Sequence, residues 1–148
     1  MVFRSLVLLI GIGCIGQLRA QPIDTLVARL RGLPGDSLEA LERAATDPRT
    51  KMVAINRLTG QYAFLGRTED CMKAAMRGFE LAETTKNDTL LAMANFGIGV
   101  AYTRLSDVNG ALKHFNIAFE GYQQIGDSMR MSLTCKETAI VYQQVGDI

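Results

Sequence analysis

Ile98-Gly99-Val100-Ala101-Tyr102-Thr103-Arg104-Leu105-Ser106-Asp107 is the stretch from which the chain can be read, because its tyrosine recurs: Tyr62 lies forty residues before Tyr102 and Tyr142 forty after. The surroundings recur with it. Leu58, Ile98 and Thr138 precede each tyrosine by four residues, and Thr59, Gly99 and Ala139 by three. Leu65, Leu105 and Val145 follow by three, then Gly66, Ser106 and Gly146, then polar Arg67, Asp107 and Asp147. The first two copies also share Cys71/Ala111, Met72/Leu112, Lys73/Lys113, Gly78/Ala118, Phe79/Phe119 and Glu80/Glu120. What persists is residue class at positions that packing would constrain. Self-similarity at one fixed period is the mark of stacked repeats, in which a single unit cannot bury its apolar face alone.

Each copy reads as two helices. Over residues 89–105, Met93, Ile98, Ala101, Tyr102 and Leu105 return at spacings of three to five. Over 108–125, Ala111, Leu112, Phe115, Ala118, Phe119 and Tyr122 follow i, i+3, i+4, i+7, the spacing of an amphipathic helix. A further helix is expected over 128–145, with turns at Ser106-Asp107 and Gly146-Asp147. Asp88 and Asp127 are placed as N-caps, where a short side-chain oxygen accepts from free backbone N–H groups. Asp47 takes the same role before Pro48, whose missing N–H costs nothing at the first helical position. Small residues (Gly99, Ala111, Ala118; Thr59, Cys71, Gly78) are expected to let paired helices approach. Tyr102, Phe115 and Phe119 are expected to fill the space between one pair and the next. Upstream, 24–33 and 36–45 read as two short helices capping the stack, the second opened by Asp36 and Glu39 at capping-box spacing.

Composition narrows the function. In 148 residues there are 16 Lys+Arg against 15 Asp+Glu, one His, three Cys and no Trp. So even a balance argues against nucleic acid as partner, which calls for a basic patch or stripe. The hydrophobic fraction of 48% belongs to a folded chain. No apolar run approaches the ~20 residues of a membrane-crossing helix. The single histidine, His114, excludes a two-histidine metal site and reads as a solvated helix residue. No G-x-S-x-G elbow is present, no cofactor is expected, and the chain reads as a non-enzyme. The alternative is a small helical enzyme using Cys71 or Cys135 as a reactive thiol, which requires exposure and a lowered pKa. Both cysteines fall at packed positions in the repeat, and a bond between them is not expected. Asp24, Asp36, Asp88 and Asp127, each followed by Ser or Thr, could mark O-glycosylation, but capping explains them better.

The first twenty residues read as an address. Arg4 gives a positive start, Leu6–Gly16 is apolar, and Leu18-Arg19-Ala20 offers a cleavage site after Ala20. The chain is therefore expected to be exported, to periplasm or outside the cell. A rival is lipid attachment at Cys14. Gly11-Ile12-Gly13-Cys14-Ile15-Gly16 also spells a dinucleotide fingerprint, but that motif needs a surrounding βαβ unit. Organisation follows: residues 1–20 signal, 21–47 capping helices, and 48–148 repeats, divided 48–87, 88–126 and a partial 127–148.

The set Ile98-Gly99, Tyr102, Ser106-Asp107, Ala111, Phe115 and Ala118 resembles the tetratricopeptide repeat. The first copy departs from it at Ala75, where an aromatic belongs, and the period is forty where the family's is 34. The resemblance implies an all-α fold, a right-handed α-α superhelix, incomplete at its C-terminus because Ile148 falls where the second helix of the third pair would begin. It further implies a concave groove lined by first-helix residues: Asn56, Gly60, Ala63 and Phe64, then Phe96, Val100, Thr103 and Arg104, then Lys136, Ile140, Gln143 and Gln144. Of these, Asn56, Phe64, Phe96, Thr103, Arg104, Lys136 and Gln143 are the expected contacts to a protein or peptide ligand. Exported repeats of this long type also resemble the N-terminal segments of bacterial envelope sensor proteins. Completion of the stack by further sequence, or self-association through the helix over 128–145, is expected on the same ground.

Overall fold

The computed structural model describes residues 22–146. The expected signal segment 1–20, with Cys14, lies outside them. Among the described residues seven helices follow in order: α1 (Ile23–Arg29), α2 (Gly35–Ala44), α3 (Pro48–Phe64), α4 (Thr68–Thr85), α5 (Asp88–Arg104), α6 (Val108–Gln124) and α7 (Ser128–Gly146). There is no strand among the described residues. From α2 onward each helix packs against the next, and α3 also lies against α5, so the first helices of neighbouring pairs touch. The architecture is all-α and solenoid-like, as expected from the echo.

The forty-residue period resolves into a finer one. The five long helices begin at Pro48, Thr68, Asp88, Val108 and Ser128, every twenty residues. The residues that precede them do the capping: Asp47 accepts from the Thr50 N–H (3.0 Å), Asn87 from Leu90 (3.0 Å), Asp107 from Gly110 (2.9 Å) and Asp127 from Arg130 (3.0 Å). Arg67 occupies the fifth such position without a side-chain cap. Asp88, expected as a cap, is instead the first helical residue, behind Asn87. Asp36 and Glu39 form no capping box either, since α2 opens at Gly35 behind Pro34 with no side-chain cap.

Three of the turns share one geometry. The N–H of Arg67, Asp107 and Asp127 reaches back to the carbonyl of Tyr62, Tyr102 and Tyr122, while Gly66, Ser106 and Gly126 bond Ala63, Thr103 and Gln123. This paired pattern satisfies the last carbonyls of the helix and needs a left-handed residue at its centre. Gly66 and Gly126 take φ of +69° and +73°, and Ser106 takes +57°. A serine there bears the steric penalty that glycine avoids. Ser106→Gly is therefore expected to raise stability by about 1 kcal/mol, read as a higher denaturant midpoint at unchanged m-value.

First and second helices differ in how they are buried. α5 has ten buried residues around its circumference, from Leu90 to Thr103, whereas α6 buries one stripe, Ala111, Phe115, Ala118 and Tyr122. At Gly99 the two helices of that pair come close: a Cβ there would stand 2.6 Å from the Phe115 ring. Gly121 meets Ala92 in the same way, at 2.9 Å. Phe115 also packs with Ala111 and Val141, joining α6 to α7. Tyr102 differs from expectation. It packs inside its own pair, its ring on the backbone of Gly110 and stacked on His114 with centroids 5.5 Å apart. His114 is thus part of the α5–α6 contact, with Nδ1 2.9 Å from the Asn95 side-chain oxygen. Burial, then the charge of Lys113, lowers its pKa.

Candidate functional site

The residues expected to line a groove fall into three environments. Asn56, Gly60 and Phe64 of α3 share one open cavity of about 520 Å³ with Leu65 and, from the N-terminal segment, Leu30 and Gly32. Phe64 is 89% exposed, although its size and chemistry favour burial. Arg104, Lys136 and Gln143 are exposed on α5 and α7, outside that cavity.

Asn56 and Phe96 sit forty residues apart, and both are used at helix contacts, Asn56 between neighbouring pairs and Phe96 within its own pair. Asn56 donates from Nδ2 to the Met93 carbonyl of α5 (3.1 Å). Phe96 is half-buried, its ring 5.8 Å from that of Phe115. Thr103 departs from the groove set: it is buried, and its hydroxyl donates to the Gly99 carbonyl at 2.9 Å, so it has no donor left for a ligand. Ala63 is buried too.

The cavity wall carries positive charge. No acidic residue lines it, while Arg57 and Gln61 do. Burial, and then the like charge of Arg31, lowers the Arg57 pKa. Arg57 donates from Nη2 to the Val27 carbonyl (2.9 Å), and Gln61 from Nε2 to that of Leu33 (2.6 Å). Sequence reasoning missed both residues, although Arg57 adjoins Asn56 in the groove pattern. Long polar side chains that end on main-chain carbonyls leave no trace in residue periodicity.

A second, charged cavity of about 370 Å³ lies where α2 meets α3 and α4. Arg77 grips Glu42 through two hydrogen bonds, 2.7 and 3.0 Å, and the Tyr62 hydroxyl donates to Glu39. Arg67 lies over the Tyr62 ring, 4.6 Å from its centroid. The hydrogen bond to Glu39, with burial, raises the Tyr62 pKa to about 12. Each of these groups is matched by a neighbour, so this cavity is the anchorage of α2.

The two thiols contrast. Cys71 is buried, its sulfur donating to the Thr59 carbonyl (3.4 Å), and burial pushes its pKa to about 11, the reverse of what a nucleophile needs. Cys135, expected in a packed place, is exposed. Its equivalent forty residues earlier, Asn95, is covered by His114 of the following helix, and no such helix follows α7 among the described residues. A maleimide reagent at neutral pH is expected to modify Cys135 within minutes and Cys71 only once denaturant is added. Rapid labelling of both would contradict this packing.

No family model, curated protein or solved structure matches the chain. Among the described residues no helix is long and apolar enough to cross a membrane.

Proposed function

We propose that the chain is a non-enzymatic scaffold of tetratricopeptide-repeat type that binds a protein or peptide on the face formed by its first helices. The observation that carries this reading is the cavity beside Phe64, in which a bare aromatic ring adjoins a cationic, acid-free wall. Phe64 and Leu65 are exposed side by side with polar Asn56, Arg57 and Gln61 around them, and an apolar patch rimmed by polar residues is what a partner covers. The forty-residue echo and the consecutive packing of hairpins support the repeat assignment. The leader-like first twenty residues support export to the cell envelope. The likeness to envelope sensors supports a place in signal transduction, and sequencing the gene beyond Ile148 for an in-frame membrane helix tests that point.

For binding, a displayed library of random twelve-residue peptides would be selected on the immobilised chain and on a Phe64→Ser/Arg104→Ser variant. Both positions are exposed, so the variant keeps its melting curve. Peptides enriched by the native chain and lost from the variant support the reading. Selection yielding the same peptides from both would remove this face as the binding surface.

A further inference from the structure

The placement of α1 does not follow from the repeat. Consecutive helices pair throughout the rest of the chain, yet α1 makes its main contact with α3 and none of comparable extent with α2. Its far end is held elsewhere: Arg130 of α7 donates from Nη2 to Asp24 Oδ1 at 2.7 Å, across 106 residues of sequence. Its later turn is held by Arg57 of α3 through the Val27 carbonyl. Since α5 stands between α3 and α7 in the stack, this short helix straps across successive first helices.

α1 also has the features of a docked peptide. It has seven residues and no side-chain N-cap, too short to be helical on its own, because nucleation is costly and short isolated helices are marginal. Leu26 is fully buried, Leu30 nearly so, and Ile23 and Val27 pack against the same core. These four, at i, i+3, i+4 and i+7, are the anchors of an amphipathic helix laid in a groove. The surface supplies the polar grip through Arg57, Gln61 and Arg130. Arg130 is itself almost buried, its guanidinium placed between Asp127 and Asp24. The strap ends at Gly32, in a left-handed conformation (φ +86°) with open space around it, followed by Pro34. Leu30 and Gly32 then form one wall of the cavity whose other wall is Asn56, Gly60 and Phe64.

We infer that α1 is an intramolecular occupant of the binding face, and that the external partner which displaces it is a short amphipathic helix of the same chemistry. Such a partner carries an acidic residue in its first turn for Arg130, apolar residues at i, i+3, i+4 and i+7, and main-chain carbonyls for Arg57 and Gln61. The inference rests on the binding role proposed above and names its ligand class. A closed strap lowers apparent affinity in proportion to the fraction of molecules in which the face is covered.

The test uses the full chain and a fluorescein-labelled synthetic peptide spanning residues 22–34, followed by anisotropy. Leu26→Asp releases the strap without altering the surface beneath it and is expected to bind the peptide at least about tenfold more tightly than the native chain. Asp24→Asn removes one exposed contact, leaves the core intact, and is expected to give a smaller increase in the same direction. Adding Arg130→Gln to the released chain is expected to weaken binding again. Equal affinity of native and both variant chains, or no binding to a variant that still unfolds cooperatively, would overturn the inference. Neither result would touch the broader binding role, which stands or falls on whether displayed peptides enrich on the native chain and are lost from the Phe64→Ser/Arg104→Ser variant.

Discussion

Gly99→Ala is expected to cost about 1–3 kcal/mol, the usual range for an overpacked core. The added methyl would stand 2.6 Å from two ring carbons of Phe115, and that ring is itself buried against Ala111 and Val141, with Phe96 beside it. Neither side has room to give. Phe115→Ala, which opens a cavity in the same place, is expected to cost about 3–5 kcal/mol. The two effects share one volume, so the double variant should lose markedly less than the sum. A thermodynamic cycle from urea unfolding of all four chains measures that coupling. Strict additivity would mean that the α5–α6 contact is not at Gly99.

Protection against hydrogen exchange is expected to fall along the stack, with residues 138–145 of α7 exchanging at least about a hundredfold faster than the centre of α5. α5 buries ten residues, whereas α7 buries only Thr134 and Val141 and leaves Met129, Leu133, Tyr142 and Val145 exposed. In a solenoid each unit is held by its neighbours, so a helix covered on one side opens first. The beginning of α7 should resist longer than its end, because Arg130 ties it to Asp127 and Asp24. Mass spectrometry of pepsin fragments after deuterium labelling measures the gradient, and uniform protection over α5 and α7 would contradict it.

The sequence carried the stack because stacking constrains residue class at fixed intervals. Gly99, Ala111, Phe115 and Ala118 had to be small or large where one helix crosses another, and that requirement shows through low identity. The caps were half legible. Asn87 and Asp88 have equally suitable side chains, and only the spacing of Asp47, Asp107 and Asp127 picks out Asn87. That twenty-residue rhythm was also written in Tyr122-Gln123-Gln124-Ile125-Gly126-Asp127 and Tyr142-Gln143-Gln144-Val145-Gly146-Asp147. On the face proposed to bind a partner, the exposure of Phe64 and Arg104 was legible because both sit on the outward stripe of a first helix. Thr103 was misplaced because a threonine can turn its hydroxyl back on its own helix, which periodicity does not reveal. The position of α1 was invisible, since a helix outside the repeat docks by contacts with no sequence interval of their own.

The even spacing of helix starts has a consequence for how such a chain can grow or shrink. Helix starts recur every twenty residues, but the inner and outer rods bury different faces, so excising a single rod would set an outer surface where an inner one belongs. Excising forty residues, from Asp88 to Asp127, would remove one whole hairpin and keep the alternation. A duplication or loss that keeps this fold is therefore expected in whole hairpins, with the join falling between helices.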